Sequence, residues 1–157
     1  MIKLLFLFSV LFSLISIAQT SEVSARYDRI GKYVNGVAFV HKSGLVGFIN
    51  AQGKEIVKPE YDKISLFGPD NLAYTWKNNL VGLIDINGKI IVNNVYDHIG
   101  HFKYNQAFVK KNNLYGVIDL SGNLLVQPLY IKIKHGPYGN LIATNYDNVE
   151  IVLKPIK

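Results

Sequence analysis

Aspartate is the residue type whose spacing first suggests chemistry. Asp28, Asp62 and Asp97 each follow a tyrosine, and Asp85 and Asp119 each stand three residues before a glycine. Stacked into a ladder, such carboxylates would bind calcium or share acid–base work. The same positions have a plainer use, because an Asp in a tight turn accepts hydrogen bonds from its own backbone. Asn50 occupies the first of the turn positions, where a neutral amide keeps the turn bond and loses the charge a cation needs. The aspartates are therefore read as turn residues. His98 and His101 are the second candidate. Residues three apart on an extended chain face opposite sides, and the sequence offers no further ligands nearby, so no metal is assigned. There is no Gly-x-Ser-x-Gly, no phosphate-binding glycine loop and no His-Glu-x-x-His. Cys is absent, which removes thiol catalysis, Cys-ligated metal and anchoring through a lipidated cysteine. The expectation is a protein that is not an enzyme and uses no cofactor.

The elements that carry these residues repeat. Tyr27, Tyr61, Tyr96 and Tyr130 recur at a period of about 35 residues, with Ile30, Ile64, Ile99 and Ile133 three places after them. Gly47, Gly82 and Gly116, then Gly53, Gly88 and Gly122, then Ala38, Ala73 and Ala107 keep the same period. Each unit reads as strand, turn, strand, turn, strand. The first long strand is Val37 to Lys42, Leu72 to Lys77 or Gln106 to Lys111, and it ends in Ser43-Gly44, Asn78-Asn79 or Asn112-Asn113. Those pairs tolerate positive φ and suit a two-residue hairpin turn. The second is Leu45 to Asn50, Leu80 to Asp85 or Leu114 to Asp119, closed by an Asn or Asp turn with Gly in the left-handed place. The third starts at Glu55 and its copies and is expected to stop at Pro59, Asn93-Asn94 or Pro128.

The fold class that follows is all-β, an antiparallel meander of β-repeats stacked as an open twisted solenoid. Propeller-like blades are the alternative, although three and a part units fall short of a ring. The units are 27–60, 61–95, 96–129 and a capping half-unit, 130–157, in one repeat domain. In the last unit the repeated glycine becomes Ile151 and no Asp-x-x-Gly turn is expected.

The apolar-Gly-apolar-Ile-Asp run, the following x-x-Gly-Lys and the Tyr-Asp step resemble the WG-repeat proteins. The resemblance covers residues 27 to about 153, with Val46, Val81 and Tyr115 where the family's Trp would stand. It implies a β-repeat fold, frequent export in bacteria and no established enzymatic activity, and it brings no catalytic residues.

Where the copies disagree, function is sought. Tyr33, Phe67 and Phe102 form one aromatic column, and Phe39, Tyr74 and Phe108 another, all explained by sheet packing. Trp76 differs, because its equivalents are the polar His41 and Lys110. A Trp at an otherwise polar position is read as partly exposed and as an anchor for a partner. Trp76, His41 and Lys110 are the candidate partner-binding residues.

The first residues set the compartment. Met1-Ile2-Lys3 is a short positive start, Leu4 to Ile17 is uncharged, and Ser16-Ile17-Ala18 suits a signal peptidase. The apolar run is shorter than the roughly 20 residues of a membrane-spanning helix. Residues 1–18 are read as a signal peptide cleaved near Ala18 and 19–26 as a linker, with no stable membrane span after cleavage. The product would be periplasmic or extracellular. The net charge is +6, yet Arg26 and Arg29 are the only arginines. Scattered Lys with almost no Arg, in an exported chain, argues against nucleic acid and leaves room for an anionic glycan. The favoured function is a non-catalytic module that binds a protein or cell-envelope component. A glycan-binding module using exposed aromatics is the alternative. A glycoside hydrolase ranks third, since it needs two carboxylates across a cleft. Self-association through open sheet edges is a further expectation.

Overall fold

A computed structural model of the chain describes residues 23–137 and 140–153. The proposed signal peptide lies outside the described residues, as do residues 19–22 of the 19–26 linker, of which residues 23–25 are helical. Two compact units follow one another, dividing between Ile64 and Ser65.

The first unit contains β1 (Arg29–Ile30), β2 (Val37–Lys42), β3 (Leu45–Asn50), β4 (Glu55–Tyr61) and the short β5 (Lys63–Ile64). Strands β1 to β4 form one antiparallel sheet in chain order. The second unit repeats that plan with β6 (Leu72–Lys77), β7 (Leu80–Asp85) and β8 (Ile90–Tyr96). A further sheet holds β9 (His98–Ile99), β10 (Gln106–Lys111), β11 (Leu114–Asp119) and β12 (Leu124–Tyr130). A last, shorter one holds β13 (Lys132–His135), β14 (Leu141–Thr144) and β15 (Glu150–Leu153). The expected meander of β-repeats is thus what forms, and none of these sheets closes into a barrel.

The turns explain why the strands end where they do. Ser43-Gly44, Asn78-Asn79 and Asn112-Asn113 all have both residues at positive φ, the geometry of a two-residue hairpin turn matched to strand twist. After the second strand, the side-chain oxygen of Asn50, Asp85 or Asp119 accepts two backbone N–H bonds at 2.8–3.0 Å. The Gly53, Gly88 and Gly122 amides close the same turns onto the backbone carbonyls of those residues. One loop accounts for the uneven period. Asn35-Gly36 and Tyr104-Asn105 make two-residue turns, whereas the corresponding loop runs from Gly68 to Leu72 and holds one residue more.

The third strand departs from expectation. It does not stop at Pro59, Asn93-Asn94 or Pro128 but runs on to Tyr61, Tyr96 and Tyr130. Val46 pairs with Tyr61 while Phe48 pairs with Val57, so β4 carries extra residues against β3, and the same bulge recurs in the next two repeats. A proline at a bulge forfeits no ladder bond, which is how Pro59 and Pro128 are tolerated inside a strand. The bulge folds onto the middle strand so closely that only glycine fits opposite. A Cβ on Gly82 would lie 2.6 Å from the Val92 carbonyl oxygen and 3.0 Å from Asn94 N. Gly116 faces Pro128 N at 2.8 Å in the same way, and Gly47 faces Pro59 N at 2.7 Å.

The middle strands are buried on both faces: Phe48 and Ile49, Leu83 and Ile84, and Val117 and Ile118 are all inaccessible or nearly so. Their continuous apolar sequence follows from that double cover. In the second unit Val81, Leu83, Val92, Tyr96, Val109 and Ile118 belong to one core cluster that spans two repeats.

The second repeat carries a compensated change. Asn94 stands where the other repeats have Pro59 and Pro128, and buried Thr75 stands where they have Val40 and Val109. The Asn94 amide donates to the Thr75 and Leu80 carbonyls at 2.9 and 3.1 Å and lies within 3.2 Å of the Thr75 hydroxyl.

Two stability measurements follow. In urea unfolding, Gly82→Ala loses about 2 kcal/mol or more, because the clash is with backbone that cannot step aside. Gly100→Ala, whose methyl would meet the Phe108 carbonyl oxygen at 3.4 Å, loses less than about 1 kcal/mol. Asn94→Pro alone strands the buried Thr75 hydroxyl and loses roughly 1–3 kcal/mol. Adding Thr75→Val recovers part of that loss. A coupling smaller than about 0.5 kcal/mol would mean the two sites are independent.

Candidate functional site

His41, Trp76 and Lys110 occupy one register position in three successive hairpins, opposite Val46, Val81 and Tyr115 respectively. Those partners are the positions at which the resemblance to WG-repeat proteins would put a tryptophan. The chain's single Trp therefore stands directly across the ladder from one of them. All three side chains are partly buried, but their settings differ.

In the first unit, Arg29 on β1 pairs with His41 on β2. Arg29 Nη2 lies 2.7 Å from His41 Nε2. A guanidinium only donates, so Nε2 accepts and the imidazole proton belongs on Nδ1. Burial, and then the Arg29 charge, hold the His41 pKa below the ordinary 6.5 of imidazole. Lys110 places its ammonium 5.8 Å from the centroid of the Tyr115 ring, a cation–π contact on its own hairpin.

Trp76 belongs to a larger group. It packs on the core cluster with Tyr74, two residues earlier on the same face of β6, with ring centroids 6.3 Å apart. The Tyr74 hydroxyl donates to the Gly100 carbonyl at 2.9 Å, and the His101 ring meets Tyr74 edge-on at 6.0 Å. Burial, and then the nearby Asp70 charge, raise the Tyr74 pKa above 10.0, so the phenol stays a donor at neutral pH. One repeat later the arrangement returns: His135 lies 4.9 Å from Phe108, and Tyr104 meets His135 edge-on at 5.6 Å. Lys103 Nζ sits 5.1 Å from the Tyr104 centroid, and Tyr104 is 72% exposed. Tyr74 and Phe108 are equivalent positions, as are His101 and His135. The second unit thus carries a repeating pair of aromatic ring and imidazole donated by the next repeat.

Sequence reasoning placed Trp76 but missed this pairing. It takes His101 only with His98, as a pair three residues apart that faces opposite sides of an extended chain. The available signal was that His101 and His135 each lie 27 residues after an aromatic of the same column. His98 sits on β9 opposite Lys110 and takes no part in the group. Among the described residues, no group of three or more His, Asp or Glu is arranged to hold a metal ion.

The aspartates act on backbone. Asp28 accepts from the Ser43 N–H at 2.7 Å, tying the start of the repeat to its hairpin turn. For Asp119, burial pushes the carboxyl pKa up. Hydrogen bonds from the Asn123 side chain and from turn backbone outweigh it and hold the pKa below the ordinary value.

A titration checks the His41 setting. By NMR, His41 titrates below 6.5, and Arg29→Ala moves it upward. A base whose folded pKa is depressed favours folding above its unfolded pKa. The contribution of His41 is therefore complete above about pH 6.5 and fades as pH falls toward its folded pKa.

No curated protein matches the chain. A crystal structure of the computationally designed Ika4 protein is similar at 13% identity with a TM-score of 0.36, covering 79% of this chain and 88% of that one. The WG containing repeat matches three times in tandem, at residues 47–80, 82–115 and 115–149. With the turn, bulge and glycine geometry repeated at the same period, the chain belongs to the WG containing repeat family.

Proposed function

We propose that this chain is an exported, non-catalytic binding module whose partner is a protein or a component of the cell envelope. The observation that carries the reading is the group of Trp76, Tyr74 and His101, with the ring and imidazole pairing repeated one unit later at Phe108 and His135. Aromatic side chains with polar edges, held rigid on strands, are the usual anchors of binding surfaces. Tyr74 is fixed by its bond to Gly100, so this surface is formed before a partner arrives. The family is not a known enzyme family. Export rests on the positive start and uncharged run of residues 1–18.

Glycan binding is the second reading. Trp76 and Tyr74 stand side by side with their planes tilted by 35°, and two flat rings of this kind can stack on sugar faces. The basic charge would favour an anionic glycan.

Pull-down from envelope extracts, with Trp76→Ala and Tyr74→Ala as controls, tests the proposal. The wild type retains a partner that both variants release. Equal retention by all three chains removes the Trp76 surface from the account. Trp76 is the only tryptophan, so its fluorescence reports directly on a glycan titration. A wild-type signal that no acidic or neutral glycan shifts removes the second reading.

A further inference from the structure

Lys103 and Gln106 exchange two backbone hydrogen bonds, at 2.8 and 3.0 Å, around a turn whose tip is Tyr104-Asn105. The tip residues lie at φ 54° and 60°. Among the described residues, every other non-glycine residue in this left-handed region is Asn or Ser. A tyrosine there is strained, because its Cβ crowds the carbonyl that follows. The equivalent turn of the first unit uses Asn35-Gly36 and avoids the cost. Burial does not offset the strain at Tyr104, whose side chain stands in solvent at 72% exposure. The sequence puts a second tyrosine, Tyr138, at the equivalent place of the last unit, outside the described residues. A strained residue that the core does not use is the kind retained where a ligand is met.

The groups beside Tyr104 say what that ligand is. Lys103 Nζ sits 5.1 Å from the ring centroid. Among the described residues no carboxylate pairs with Lys103, whereas Lys134 on β13 is taken by Glu150 at 2.6 Å. His135, also on β13, meets the Tyr104 ring edge-on and is backed by Phe108 at 4.9 Å. Lys103, Asn105 and Gln106 make the surroundings polar, so the patch lacks the apolar centre of a protein interface. An exposed ring suits the C–H face of a sugar. An unpaired ammonium suits a carboxylate, and an imidazole edge suits a hydroxyl. A sugar that carries an acid group meets all three.

We propose that Tyr104, Lys103 and His135 form a binding site for a uronic acid residue of an acidic polysaccharide. The carboxylate pairs with Lys103, the sugar ring lies against Tyr104, and His135 bonds a hydroxyl. The proposal rests on the glycan reading above and assigns recognition of the acid group to this turn, apart from Trp76. It also explains the strain: the turn gives up stability to hold the ring out in solvent, ready for the sugar.

Calorimetric titration with an oligogalacturonate and with its neutral methyl ester, joined to thermal melting of each chain, tests it. Tyr104→Asn restores the residue type of the first unit. It melts at a higher temperature than the wild type, yet binds the acidic oligosaccharide about tenfold more weakly or worse. Lys103→Gln melts as the wild type does and loses about tenfold in affinity, the loss also seen when the wild type is given the ester. Lys89→Gln, which removes an exposed lysine from another turn, binds as the wild type does. If Tyr104→Asn binds the acid as tightly as the wild type, the site is elsewhere, and this proposal falls while the glycan reading stands. A Tyr104→Asn chain that melts no higher than the wild type overturns the proposal through its strain. Equal losses in Lys103→Gln and Lys89→Gln reduce binding to overall charge and overturn it too. A wild type that binds neither acid nor ester also overturns it, and the Trp76 fluorescence titration then decides the glycan reading separately.

Discussion

The close approach of the bulged third strand to the glycine of the middle strand is the contact on which the rest of the fold depends. At Gly47, Gly82 and Gly116 a neighbouring backbone occupies the space a Cβ would need. The bulge lets the third strand continue past Pro59, Asn94 or Pro128 and deliver a tyrosine into the ladder opposite Val46, Val81 or Tyr115. Without it the strand would end early, and Tyr61 and Tyr96, both buried, would leave the core. The bulge also bends the strand, since an extra residue on one side of an antiparallel pair increases local twist.

The contact constrains its surroundings chemically. Two repeats place Pro at the bulge and Val opposite, an apolar solution in which no donor is stranded. The second repeat places Asn94 there and answers it with Thr75 and two carbonyl acceptors. Both solutions satisfy the same rule, that a buried polar group must be paired or removed. The aspartates follow a related logic. Asp85 and Asp119 spend their carboxylates on turn N–H groups, and Asn50 and Asn145 make the same two bonds without charge. The turn column of Asn50, Asp85 and Asp119 is thereby explained as backbone chemistry.

Much of this was legible in the sequence where the governing interaction is local. The six long strands bounded by Ser43-Gly44, Asn78-Asn79 and Asn112-Asn113 form over the expected residues, because those turns are decided by two neighbouring side chains. What escaped depends on contacts between distant residues. Pro59 reads as a stop until the bulge that tolerates it is seen. In the final unit, Asn145 to Val149 forms the capped turn that was not expected there. Asn148 takes the positive φ usually given to glycine, and the turn joins β14 to β15, the place of the first hairpin. The imidazole partners of Tyr74 and Phe108 come from the next repeat, so no single strand pattern reveals them.

The most direct measurement is of the glycine contact itself, by proton NMR. Proline δ-protons have no counterpart elsewhere in the chain's backbone, and Pro59 and Pro128 each face a middle-strand glycine. Strong nuclear Overhauser effects from the Gly47 α-protons to the Pro59 δ-protons, and from Gly116 to Pro128, are the predicted result. A spectrum in which these are missing, with the third strand ending before each proline, would contradict the account.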